Sequence, residues 1–225
     1  MNEVIRLKSV SHVYSNMYTE DKVLDDINLE FEKGKLYSIM GPSGSGKTTL
    51  LNIIGGLLTP TSGKVYIGNQ DITSYNKRQL AELRLHEVGF IFQNFNLVPF
   101  LTVKENILLQ VRLSKQKVGK YIDKYEDILS ALGIKEKENA FVHELSGGQQ
   151  QRVAIARCLL MQPKIILADE PTGNLDKKNT TIVMDVIRKI QNQSDICFII
   201  VTHDERISEY CDKTVYIQDS KAIIH

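Results

Sequence analysis

Leu36-Tyr37-Ser38-Ile39-Met40-Gly41-Pro42-Ser43-Gly44-Ser45-Gly46-Lys47-Thr48-Thr49 is the stretch that decides how this chain folds. Its first five residues are mostly apolar, as expected for a parallel strand covered on both faces. They run directly into the pattern G-x-x-x-x-G-K-[ST], and Thr49 to Ile54 then reads as helix. Strand, glycine-rich loop and helix in this order form a cradle for a polyphosphate, because backbone N–H groups and a helix N-terminus face the anion together. Gly41, Gly44 and Gly46 permit close backbone approach. Lys47 would lie along the β and γ phosphates, and Thr48 would offer its hydroxyl to Mg²⁺. Pro42, Ser43, Ser45 and Thr49 complete the predicted phosphate-binding segment. Many unrelated proteins carry this pattern, so on its own it specifies only the polyphosphate.

Two further apolar runs, Ile165-Ile166-Leu167-Ala168 and Ile196-Cys197-Phe198-Ile199-Ile200-Val201, have the same buried-strand character, and polar residues follow each. Asp169-Glu170 follows the first and Thr202-His203 the second, and ligands of open α/β sheets bind beyond the carboxyl ends of the strands. Two adjacent carboxylates at such an edge can divide the work of holding a metal and activating water, although spacing does not say which does which. A neutral His203 imidazole there could hydrogen-bond the terminal phosphate or the attacking water. His12, His86, His143 and His225 lack such a setting and receive no role.

Elsewhere the pattern changes. Ile27, Leu29 and Phe31 alternate with polar residues, which predicts a strand with one wet face and antiparallel pairing near the N-terminus. Between Phe100 and Leu145 helix signals replace strand signals, predicting an inserted helical lobe of about residues 94–160. Thr102-Val103-Lys104-Glu105 has capping-box spacing. Val118, Ile122, Tyr125, Ile128, Leu129 and Leu132 recur at helical intervals opposite Lys120, Asp123, Lys124 and Asp127, and Gly133 supplies a stop. Ser146-Gly147-Gly148 opens another helix, from about Gln149 to Met161. That is a second phosphate-suited N-terminus with no lysine or metal carboxylate beside it, as in one half of a site.

The composition narrows the function classes. The 225 residues carry 28 Lys and Arg against 27 Asp and Glu, so no overall electrostatic footprint for nucleic acid or an anionic membrane exists. No run approaches the length of a membrane span, and the N-terminus lacks a signal pattern. Cys158, Cys197 and Cys211 are odd in number without metal-ligand spacing and are expected to be reduced thiols in a cytosolic setting.

Taken with Leu145-Ser146-Gly147-Gly148-Gln149, these motifs resemble the ATP-binding subunit of an ABC transporter, and the resemblance extends over essentially the whole chain as a single domain, 1–225. It implies an α/β fold: a P-loop NTPase core with a mostly parallel sheet, an N-terminal antiparallel β subdomain and an inserted α-helical subdomain. It also implies ATP and Mg²⁺ as cofactors. In that family two copies close head to tail, with Tyr14, Lys47, Thr48, Gln93, Asp169, Glu170 and His203 acting in one copy. Ser146, Gly147, Gly148 and Gln149 would reach the γ-phosphate from the other. By the resemblance, Tyr14 would stack on adenine, Asp169 would hold the metal through water, and Glu170 would orient or deprotonate the attacking water. Gln93 would touch metal or water and report nucleotide state to the lobe. Asp176, in Gly173-Asn174-Leu175-Asp176, resembles the loop that crosses the dimer seam.

The wording around Phe90-Ile91-Phe92-Gln93-Asn94-Phe95 and Pro171-Thr172-Gly173 is similar to the branch serving lipoprotein release, cell division and export of macrolides or antimicrobial peptides. The implied partners are an integral membrane permease and a second copy of the chain, at the cytoplasmic face of the membrane, with no nucleic acid and no direct membrane insertion. A soluble ABC ATPase without a transporter, such as one for iron–sulfur assembly, is the alternative. The cargo is not written in these residues.

Overall fold

In a computed structural model, which describes residues 3–15 and 19–224, apolar alternation divides the molecule into two cores on either side of one sheet. Met1, Asn2 and His225 lie outside the described residues. The elements in chain order are β1 (Glu3–Ser15), β2 (Glu20–Glu32), β3 (Leu36–Met40), α1 (Lys47–Ile54), β4 (Ser62–Ile67), β5 (Gln70–Asp71), α2 (Lys77–His86) and β6 (Val88–Ile91). They continue with α3 (Val103–Leu113), α4 (Ile122–Ala131), α5 (Gly147–Leu160), β7 (Ile165–Asp169), α6 (Lys177–Asn192), β8 (Cys197–Val201), α7 (Glu205–Ser208), β9 (Lys213–Gln218) and β10 (Lys221–Ile224).

The larger sheet has the order β10-β9-β3-β8-β7-β6, parallel throughout except for β10. Because side chains alternate along a strand, Tyr37, Ile39, Ile165, Leu167, Cys197, Ile199 and Val201 face one core, and Leu36, Ile166, Ala168, Phe198 and Ile200 face the other. The first core is closed by α1 and by the antiparallel sheet β2-β1-β4-β5. The second is closed by side chains of α3, α4, α5 and α6, among them Val111, Leu129, Val153 and Ile187. Both faces are therefore covered, which explains why these strands read as continuous apolar runs.

Three sequence expectations need adjustment. The N-terminal strand is longer than Ile27–Phe31, running from Glu20, because the Asp25-Asp26 step is irregular, with Asp26 at φ 53°, and hides the alternation upstream. The stretch from Val118 to Leu132 is not one helix: Val118–Tyr121 is a 3₁₀ turn before α4, and Ile122 is exposed. Lys124, assigned to the polar face, is half-buried because it lies one turn before Ile128 at the border of the apolar stripe. The helix after the glycines begins at Gly147 rather than Gln149, with Ser146 as its N-cap. Gly133 does adopt the left-handed conformation of a helix stop, at φ 61°. Cys158 and Cys197 are buried and Cys211 is half-buried, all three unbridged. Burial pushes the Cys158 and Cys211 thiols up to about 12.

Candidate nucleotide-binding site

Parallel strands deliver their carboxyl ends to one edge, and the order β6-β7-β8-β3 sets out along it Gln93, Asp169 with Glu170, His203, and the loop Gly41–Gly46. The loop is held open by backbone conformations that favour glycine: Gly46, the N-cap of α1, sits at φ 97° and offers no side-chain cap. An added Cβ at Gly46 would lie 2.7 Å from Val23 Cγ1, so β2 supports the loop from below. The free N–H groups at the start of α1 therefore face outward without a protein acceptor from an N-cap side chain. The Ser45 hydroxyl is buried and, among the described residues, without a partner, an orphan polar atom within the cradle. Lys47 folds back, its Nζ donating to the carbonyls of Gly41 at 2.9 Å and Pro42 at 2.6 Å, which fixes the ammonium over the loop.

Across from α1, Thr48 Oγ1 donates to Asp169 Oδ1 at 3.2 Å. Burial holds the Asp169 carboxyl above its ordinary range, with the adjacent Glu170 charge adding to the rise and the Thr48 bond and Lys47 opposing it. Glu170 stands at φ 45°, its N–H bonded to the Val201 carbonyl at 2.9 Å, and its Oε1 is 2.9 Å from His203 Nδ1. An added Cβ at Gly173 would lie 3.1 Å from both Gln93 Nε2 and Glu170 Oε2, so these two groups converge on a bare backbone position. Tyr14 is half exposed at the end of β1, with its hydroxyl 3.3 Å from Thr49 Oγ1. His12, given no role from sequence, is buried edge-on against the Tyr14 ring at 4.6 Å.

The donor set suits a hard divalent ion shared with phosphate oxygens. Among the described residues no three His, Cys, Asp or Glu side chains gather as a metal cage, whereas one hydroxyl and one carboxylate face the cradle.

Ser146, Gly147, Gly148 and Gln149 form a separate construction. Ser146 Oγ accepts from Gln149 N, and Gln149 Oε1 accepts from Ser146 N at 2.9 Å, closing a capping box. Their neighbours across the chain are Asn179, against which Gly148 packs, and Phe95 near Gly147. Asp176 caps α6, accepting from Asn179 N at 2.8 Å and from Asn179 Nδ2 at 3.0 Å. The Asn179 bonds hold the Asp176 carboxyl below its usual range.

A family model described as ABC transporter matches residues 24–173. The chain belongs to the ABC transporter family. The lipoprotein-releasing system ATP-binding protein LolD 1 of Rhodopseudomonas palustris is 39% identical over 223 residues, 98% of this chain and 99% of that protein. A putative hemin import ATP-binding protein HrtA of Staphylococcus haemolyticus is 40% identical over 217 residues, covering 96% and 98% of the two chains. A dimeric structure of the cassette MJ0796 of Methanocaldococcus jannaschii superposes with a TM-score of 0.90 at 37% identity, over 98% of this chain and 97% of that one. A dimeric post-hydrolysis structure of the same cassette, bound to ADP and Pi, gives a TM-score of 0.89. The chain is thus an ATP-binding, ATP-hydrolysing cassette with the ABC ATPase fold.

Several residues that organise this cassette were not singled out from sequence. Asn106 is fully buried. Its Oδ1 accepts from Val98 N, and its Nδ2 lies within reach of the carbonyls of Val98, Leu101 and Thr102. Arg157 donates to the carbonyls of Phe95 and Asn96, both at positive φ, and Asn174 Nδ2 donates to the Gln93 carbonyl at 3.1 Å. Together they fix the segment that carries Gln93. A sequence signal existed for Asn106 alone: it is a polar residue on the apolar stripe Val103-Asn106-Ile107-Val111.

Proposed function

We propose that two copies of this cassette close head to tail around ATP and Mg²⁺, and that hydrolysis reopens them to drive a separate membrane permease. The observation that carries this reading is the division of the phosphate-suited groups. Gly41–Thr48, Asp169, Glu170 and His203 converge at one sheet edge, while the N-terminus at Ser146–Gln149 packs through Gly148 on Asn179 and, among the described residues, shares no hydrogen bond with them.

In this reading the Gly41–Gly46 amides and Lys47 hold the β and γ phosphates. Thr48, Asp169 and Gln93 surround the metal site, and Mg²⁺, when bound, neutralises charge on the phosphate oxygens. Glu170 orients and deprotonates the attacking water, and His203, bonded to Glu170, sets the direction of that carboxylate. Tyr14 lies against the adenine, with Thr49 positioning its hydroxyl. Ser146, Gly147, Gly148 and Gln149 of the partner subunit complete the γ-phosphate shell, and Asp176 lines the seam. The γ-phosphate contacts both copies, so it binds the closed state better, which is the differential affinity that shifts the equilibrium.

We assign residues 94–160 as the lobe that transmits closure to the permease through the Gln93–Pro99 segment. The branch is that of lipoprotein release and macrolide or antimicrobial-peptide export, in keeping with the similarity to LolD 1. The similarity to a cassette named for hemin import leaves the cargo to the permease. No helix among the described residues is long and apolar enough to cross a membrane; in this reading the permease holds the cassette at the cytoplasmic face.

Glu170→Gln tests the chemistry. ATP binding should persist while turnover falls by two to four orders of magnitude, the range for a lost general base. Wild-type turnover in this variant would remove Glu170 from its role.

A further inference from the structure

On the side of the sheet away from the nucleotide, where the chain enters β7 and β8, a cavity of about 380 Å³ opens between the lobe and the core. Its walls are Ile128 of α4 and Leu132 just after it, Leu159 and Pro163 around the end of α5, Ile190 near the end of α6, and Ile196 just before β8. This volume lies within the range of small-molecule sites, which are largely apolar with few polar groups to fix orientation. One such group is present. Lys124, half-buried on α4, lines the cavity, and among the described residues no carboxylate lies within ion-pair distance of its ammonium. Asp127 is the other charged lining residue, one turn along α4 and exposed, without an ion pair to Lys124. Gln162, Gln193 and Ser194 supply the remaining polar rim and no charge.

A cation withdrawn from water beside apolar walls is costly unless an anion meets it. Burial alone pulls the Lys124 ammonium down to about 8, which agrees with a site lacking its counter-charge. The sequence pattern had placed Lys124 on the solvated face, but within α4 it lies one turn before Ile128 and so borders the apolar stripe.

We infer that this cleft binds a small amphipathic carboxylate, its aliphatic body against Ile128, Leu132, Leu159 and Ile196 and its acid head on Lys124. Charge complementarity selects the occupant: an apolar cleft with one unpaired cation suits an apolar molecule bearing one negative group. Such a ligand touches α4 of the lobe and α6 and β8 of the core together, so it ties the two parts at the edge opposite the ATP site. The inference does not depend on dimer closure, because all its residues come from one chain.

Isothermal titration calorimetry on the full chain, with dodecanoate and dodecanol below their aggregation concentrations and with the nucleotide site filled by Mg-ADP, tests it. Dodecanoate should bind saturably at one site per chain, and dodecanol about tenfold more weakly, the loss of one charge-assisted contact. Lys124→Met should bring dodecanoate down to the level of dodecanol while leaving dodecanol unchanged, and Lys124→Arg should retain most of the preference. Equal binding of acid and alcohol, an unaltered dodecanoate affinity in Lys124→Met, or no saturable binding would each overturn the assignment. Basal ATPase activity of Lys124→Met should match the wild type, which separates this result from any failure of the nucleotide site.

Discussion

At the scale of single residues, the site works against the stability of the chain that holds it. Asp169 is the clearest case, because burial and the neighbouring Glu170 charge favour its neutral form while its task requires the ionised one. A carboxyl whose folded pKa is raised gives up a proton more readily when unfolded, so its ionisation weakens the fold above the ordinary carboxylate range. Asp169→Asn should therefore raise the melting temperature of the nucleotide-free chain at neutral pH. That advantage should fade as the pH falls below the usual aspartate value, where the wild-type side chain is neutral as well. The same variant should lose Mg²⁺-dependent turnover. Calorimetric melts across pH check the first part, and a melting temperature at or below wild type at neutral pH contradicts it. Asp169, Glu170 and His203 could be placed at the sheet edge from sequence because each stands at the end of an apolar run, and Lys47 because it closes the glycine loop that follows another. Asn174 and Arg157 were not legible, since their partners are other loops: Arg157 acts on Asn96, 61 residues away. Nor was Asn179, whose packing against Gly148 crosses from α6 to α5.

At the scale of elements, the amino-terminal ends of α5 and α6 are joined through Asn179. An added Cβ at Gly148 would lie 2.7 Å from Asn179 Oδ1, and Asn179 in turn is bonded twice to Asp176. Gly148→Ala should then destabilise the isolated chain by about 1–3 kcal/mol, the usual range for overpacking, and shift the Asp176 turn with it. Denaturant unfolding without nucleotide checks this, and an unchanged midpoint would mean that Gly148 matters only to a partner. The lobe offers a second case. Asn106 satisfies backbone groups of Val98, Leu101 and Thr102, so Asn106→Leu leaves buried partners unpaired and should cost roughly 3 kcal/mol. Hydrogen exchange should locate the loss at Val98–Thr102 rather than in β3 or β8, and uniform loosening of the sheet would contradict the assignment. Element type was readable wherever one pattern held along the segment, as in the continuous apolar runs of β3, β7 and β8. It failed where the period changed within a segment, at Asp25-Asp26 in β2 and at the 3₁₀ turn before α4, because neither a bulge nor a change of helix pitch leaves a composition signal.

At the scale of the whole molecule, two cores on one sheet make a rigid edge on which the groups from β3, β6, β7 and β8 are held in register, and this much followed from three apolar runs and one glycine loop. The covering of the second face by α3, α4, α5 and α6 was legible only as helix content, since packing partners are not encoded in period. In this mechanism another copy completes the site, and sedimentation of Glu170→Gln with saturating Mg-ATP reports on that step. The account predicts a single monomer boundary without nucleotide or with Mg-ADP and a shift to dimer with Mg-ATP, abolished by adding Ser146→Arg. A monomer boundary at saturating Mg-ATP, with bound nucleotide verified in the same sample, would contradict it.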